Sequence, residues 1–320
     1  MISRRLLRIK ALLVLYAFNR KEGDDLKEAE RELNLSITKS YDLYLYLLQL
    51  LAELARIGSD KIEAGLQKNL PSDDDLNPRR RFAEGVLVKK LEDSEILEKL
   101  SHNHAISWSG SREISNMLYN KMVLWEPYNE YVKSEYAGTS EERKFLMKML
   151  TEFLLASDDL LTHLEDRSIY WNDDLEFAVI MVEKTLKKIK DKNSQLSSLL
   201  PLFKNEDDES FALTLLRKAL LSNKATRDLI DKHTTNWEIE RIALMDILVM
   251  QLALAEIMAF PEIPVKVTLN EYIEIAKYYS TSKSSTFING ILDKVVREMR
   301  DANLFEKSGR GLIGETDKSA

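Results

Sequence analysis

Arg8 follows Arg4 and Arg5 by four and three residues at the start of a 320-residue chain, and Lys10 lies just beyond. Residues 1–21 also hold Arg20 and Lys21 and no acidic residue. Side chains at these spacings share one side of a helix, so their like charges would be held close together. Cations near a helix N-terminus also oppose the macrodipole. A sequence selected for stability alone would place them elsewhere, so the cluster points to an anionic partner.

A second stretch, "KSSTFINGILDKVV" from Lys283 to Val296, has apolar residues on one helical face but Asn289 and Gly290 at its centre. A glycine inside a helix costs about 1 kcal/mol relative to alanine. Gly290 is therefore expected where another chain segment approaches closely. Ser284 is placed to cap the helix, with Phe287, Ile288, Ile291, Leu292 and Val295 on the inward side. Asn289 and Asp293, four apart, share a polar side, with Lys294 at its edge.

Other patterns carry no chemistry. The chain has no cysteine, which excludes disulfides, thiolate zinc sites and cysteine nucleophiles. "GRGLIG", Gly309 to Gly314, satisfies a dinucleotide-binding spacing but follows a helix where that motif needs a strand, and reads as flexible tail. His102 and His104 lack a third ligand at metal-binding spacing. Asp158–Asp159 and Asp173–Asp174 are adjacent pairs whose side chains diverge, and read as hydrated turns. No nucleophile, phosphate loop, metal or cofactor site stands out.

The elements that position these residues are helices. Ten glycines and six prolines, against 44% hydrophobic and 31% charged residues, favour an all-α bundle. The spacing predicts a first helix from about Ser3 to Arg20, a second around Asp25 to Leu33, and a third through Tyr41, Leu45, Leu48, Leu51 and Leu54. Lys68 to Phe82, with two prolines and runs of both charges, reads as a loop or hinge. Trp108 and Trp125 are candidate packing anchors in a less regular region, followed by helices at Ser140–Leu155 and Leu175–Lys190. "NEDDE", Asn205 to Glu209, reads as a solvated connection. In "WEIERIALMDILVMQLALAEIMAF" apolar side chains surround the helix, which places it at the centre of a bundle. The apolar run Ala11 to Phe18 is too short to span a bilayer and lacks a small-residue cleavage site, so a soluble cytoplasmic protein without membrane contact is expected. A net charge of −7 argues against a general nucleic-acid coat and leaves the local basic cluster as the informative feature.

The segment "IPVKVTLNEYIEIAKYYSTSKSSTFINGILDKVV", Ile263 to Val296, closely resembles the C-terminal signature of the NusB transcription antitermination family. Matching residues include Pro264, Lys266, Asn270, Glu271, Ser284, Phe287, Asn289, Gly290, Asp293 and Lys294. The preceding helix fits the same family through Trp237, Arg241, Asp246, Leu252, Ala253, Leu254 and Glu256. "RRLLRIKALLVLYAF" is similar to its arginine-rich opening helix, with Leu15 and Tyr16 at the end of that pattern. Members are usually about half this length, so residues 25–204 read as an expansion within an N-terminal helical region, 1–205. A NusB-like core would follow at 206–305 and a flexible tail at 306–320. The family's usual arginines in the central helix are replaced by Ile247 and Gln251.

The resemblance implies a binding protein, not an enzyme, that acts in ribosomal RNA transcription. It would bind boxA-type single-stranded RNA with NusE, a small-subunit ribosomal protein, and the RNA polymerase antitermination complex is a further candidate partner. Arg4, Arg5, Arg8, Lys10 and Lys283 would hold phosphates, Phe287 and Tyr16 would stack on bases, and Asn289 would read a base edge or fix a sugar, with Ser284 and Lys294 alongside. Gly290 would admit RNA or another backbone. Glu240 and Asp246 would face NusE. The rival reading from a different class is a helical protein–protein interaction module whose expanded region binds another partner, with RNA secondary.

Overall fold

The computed structural model describes residues 1–21, 25–134, 138–189, 196, 198–234, 242–281 and 283–313. Among them are fifteen α-helices and no strand, so the fold is all-α as the composition predicts. Two compact units divide the chain, one formed by 1–2 and 38–202, the other by 3–37 and 203–320.

Helix α1, Arg4–Arg20, begins at Ser3, whose hydroxyl accepts from the Leu6 amide at 3.2 Å. Helix α2 runs unbroken from Leu26 to Leu66, where the sequence suggests two helices. Leu33, Ile37 and Tyr41 continue one buried stripe across the expected break. The Ser36 hydroxyl donates to the Leu33 carbonyl, so it follows the helix instead of ending it. Tertiary burial overrides the local signal.

The unit formed by 1–2 and 38–202 is built on the later turns of α2, whose residues Leu43 to Leu48 are wholly buried. Around them lie α3 (Asp73–Leu76), α4 (Val86–Glu92), α5 (Glu95–Asn103), α6 (Arg112–Leu124), α7 (Glu126–Lys133), α8 (Thr139–Lys148), α9 (Asp158–Arg167) and α10 (Leu175–Lys188). A π-helical turn at Met149–Leu154 extends α8. Tyr46 stacks on Trp108 with ring centres 4.2 Å apart, and the Trp108 indole donates to the Tyr46 carbonyl at 2.9 Å. Trp125 is half-buried against Phe145 and Phe153. Asp174, expected in a hydrated turn, is instead buried and accepts from the Ser40 hydroxyl. His104 bonds Asp42 at 2.6 Å.

The unit formed by 3–37 and 203–320 contains α1, the start of α2, α11 (Glu206–Leu221), α12 (Asn223–His233), α13 (Leu244–Ala259), α14 (Val265–Tyr279) and α15 (Ser284–Asp301). Helix α13 is buried continuously from Asp246 to Ile257 and packs against α1, α11, α12, α14 and α15. Its all-round apolar sequence predicts this central place. "NEDDE" is largely solvated but opens a helix instead of forming a connection: Asn205 caps α11 by accepting from the Asp208 amide at 3.0 Å, and the acidic residues form the first turn, where the macrodipole favours them.

Candidate nucleic-acid interface

Arg4, Arg5 and Arg8 lie at the start of α1, which packs on α11 and α13, and each of the three meets a carboxylate contributed from far away in sequence. Arg8 is buried. Its Nε and Nη2 donate to Glu256 of α13 at 2.7 and 2.8 Å, and side-chain exposure across the pair is 5% and 0%. Glu256 also accepts from the hydroxyls of Thr268 at 2.8 Å and Tyr272 at 3.2 Å. Burial works against the Arg8 charge, but the hydrogen bonds and charge of Glu256 outweigh it and raise its pKa. Burial, reinforced by the Glu256 charge, pushes the Tyr272 phenol well up, so it stays a donor.

Arg5 lies nearer solvent and forms a two-pronged pair with Glu271 of α14, Nε and Nη2 donating at 3.0 and 2.9 Å. The hydrogen bonds from Arg5 hold the Glu271 carboxyl below its usual value, and the same pairing raises Arg5. Arg4 donates from Nε to Asp208 at 2.7 Å, and its guanidinium lies over the Phe211 ring at 5.1 Å. With side-chain exposures of 38% and 45%, Arg4 and Arg5 each keep N–H groups beyond those their carboxylates use. The three arginines line a groove of about 460 Å³ together with Ile263, Pro264, Val267, Glu271, Arg310 and Ile313, among others.

The other expected site residues lie elsewhere in this unit or face inward. Lys10 is buried and Tyr16 half-buried. On α15, Phe287 is half-buried, while Lys283, Asn289 and Lys294 are exposed. Ser284 is not the helix cap: Lys283 holds that position, and the buried Ser284 hydroxyl donates to Asp246 at 2.8 Å. Asp246, expected to face a partner, is turned inward and accepts from both Ser280 and Ser284, tying the start of α13 to the junction of α14 and α15. Glu240 lies outside the described residues, as do Trp237 and Arg241. Gln251 is buried and donates to the Ala219 carbonyl at 2.9 Å, and Ile247 is buried beside it, so the two residues that replace family arginines serve the core.

Gly290 is exposed, and a Cβ built there meets nothing within 4 Å. No segment among the described residues needs the glycine. Arg8 and Ser284 anchor at Glu256 and Asp246, ten residues apart on α13, which is about 15 Å along the helix axis. None of the residues that line the arginine groove comes from α15. Sequence reasoning missed Asp208, Phe211 and Arg310 as members of the arginine neighbourhood. It held Glu256 and Glu271 as signature residues without a role. An acidic residue in the signature, set against an arginine-rich opening helix, is the signal that could have paired them.

Among the described residues no group of three histidine, aspartate or glutamate side chains is arranged to hold a metal, and no helix is long and apolar enough to cross a membrane. What the helices define is an all-α bundle with a cationic groove beside its central helix. Residues 140–297 match the NusB family. A "Transcription antitermination protein NusB" from Salinibacter ruber is 42% identical over 115 residues, 36% of this chain and 72% of the relative. Proteins of the same name from Chloroherpeton thalassium and Koribacter versatilis are 50% identical over 84 residues and 42% over 103. These cover 26% and 32% of this chain, and 40% and 70% of the relatives. The chain belongs to the NusB family. No solved structure matches it.

Proposed function

We propose that the protein is a transcription antitermination factor that binds boxA-type single-stranded RNA of the ribosomal RNA leader together with NusE. The observation that carries this reading is the arginine groove itself. Arg4 and Arg5 are pinned on one edge by Asp208 and Glu271 and keep donors toward solvent. A guanidinium fixed on one side and open on the other is preorganised for a phosphate. Lys283, just before α15, and Asn289 and Lys294 on it would contact the RNA outside the groove, and Phe287 offers a half-buried ring to a base. Arg8 and Lys10 support the surface from within. Association with the RNA polymerase antitermination complex is part of the same reading, as is a cytoplasmic, non-enzymatic role.

Fluorescence anisotropy with a boxA oligonucleotide and a scrambled one, each with and without NusE, tests it. The expected result is tighter binding of boxA, strengthened by NusE and weakened by salt. Equal affinity for both oligonucleotides and no effect of NusE would overturn it.

A further inference from the structure

Beyond α15 the chain returns to the arginine groove. Lys307 Nζ donates to the carbonyls of Ile257 and Phe260 at 2.9 and 3.0 Å, acceptors near the C-terminal end of α13. The Ser308 amide donates to the Pro261 carbonyl at 3.1 Å. A 3₁₀ turn follows at Gly309–Leu312, with Gly309 at a φ of 53°. Gly311 is buried so tightly that a Cβ would overlap the Pro261 carbonyl oxygen. Residues 306–313, read from sequence as flexible tail, thus form a strap held at three successive points.

The strap sets Arg310 and Ile313 on the wall of the groove that Arg4 and Arg5 line. Arg4, Arg5 and Arg8 each have a carboxylate partner, whereas Arg310 is exposed and has no ion pair among the described residues. Of the four arginines on the groove, Arg310 alone lacks a carboxylate partner among the described residues, so its guanidinium is the one that can take an anion, such as a phosphodiester, without displacing an existing pair. Exposed Val267 and Ile313, at 45% and 67%, give an apolar surface beside the charge. A nucleotide presents both kinds of group.

We propose that this strap is part of the RNA site and presents Arg310 as a phosphate-binding residue beside Arg4 and Arg5. The inference rests on the RNA-binding reading above and adds a residue and an element to it.

The test uses the full chain and a boxA oligonucleotide, with anisotropy titrations at several salt concentrations. Arg310→Ala should weaken binding by about threefold to fivefold and make the salt dependence shallower by about 0.7 in log–log slope, one phosphate contact on a single strand. Arg310→Lys should keep most of that slope. Gly311→Val, which forces the turn off Pro261, should reproduce the alanine loss. Arg310 is exposed, so its alanine variant should melt as the parent does. Unchanged affinity and slope for Arg310→Ala, beside a clear loss for Arg5→Ala, would overturn the role of the strap and leave the RNA reading standing. Tighter binding by Gly311→Val would also overturn it, since the strap would then be an obstruction. A parent protein that binds no boxA RNA at any salt sinks the RNA reading and the strap with it.

Discussion

Arg5 and Arg8 sit on one helix three residues apart, yet burial gives them different work. Arg8 and Glu256 are sealed together, and removing one partner leaves a buried charge without compensation, which costs about 3–5 kcal/mol. Arg8→Ala should therefore lower stability in urea unfolding by that much, and any loss of RNA affinity would follow from the damaged fold. Arg5→Ala, at an exposed pair, should cost less than about 1 kcal/mol and still weaken RNA binding. Glu271 holds Arg5 in the orientation that leaves its remaining donors to phosphate, so Glu271→Gln should bind RNA more weakly and be slightly less stable. Its carboxyl is held below 4.5 by the hydrogen bonds from Arg5 and the nearby Arg8 charge, against an opposing push from burial. The folded chain thus binds fewer protons there than the unfolded one. The stabilisation is complete above 4.5 and is lost as pH falls through the lowered folded value. The melting-temperature gap between parent and Glu271→Gln should accordingly be present at pH 7 and close as the pH drops below 4.5. The cluster of cations is legible in the sequence because its members are near neighbours. Which of them is spoken for is not, because Glu256 lies 248 residues from Arg8 and Asp208 lies 204 from Arg4.

At the scale of elements, periodicity located most of the helices, a break was expected inside α2 where there is none, and the cap expected at Ser284 is not one. Ser36 follows α2 by bonding backward within the helix, and Ser284 is one residue inside α15 with its hydroxyl committed to Asp246. A serine's hydroxyl can cap a helix, return to its own backbone or bind a distant carboxylate, and neighbouring residues do not distinguish these uses. Gly290 shows the opposite limit. The sequence marks it as unusual, and the structure finds open space over it. Gly290→Ala should therefore raise stability by up to about 1 kcal/mol, since an alanine fits the exposed helix without contact and restricts the unfolded chain. Thermal melting checks this. If RNA or a partner backbone presses on that spot, the same variant should also lose affinity for boxA RNA. Parent-like binding would leave the glycine without a role in recognition.

The chain as a whole gathers residues 3–37 with 203–320 and encloses 38–202 in a separate compact unit. Family likeness in the sequence already linked the opening helix to the C-terminal signature. The physical basis appears only in pairs such as Arg4–Asp208, Arg5–Glu271 and Arg217–Glu30, which bridge long stretches of chain. The 38–202 unit has its own core, with Leu146 wholly buried and the Phe145 ring stacked 4.3 Å from Tyr131. If RNA recognition belongs to the other unit, the two can be damaged separately. Leu146→Ala should destabilise by about 2–5 kcal/mol, the cost of a buried leucine cavity. Below its melting transition it should bind boxA RNA as the parent does. Leu252→Ala, an equally buried position on α13, should lose a similar stability and also weaken binding, because α13 carries Glu256 and supports the arginine groove. Circular dichroism melts paired with anisotropy at a temperature where both variants remain folded make the comparison. A loss of affinity in Leu146→Ala as large as that in Leu252→Ala would bring the 38–202 unit into recognition and require a wider RNA site than the groove beside α13.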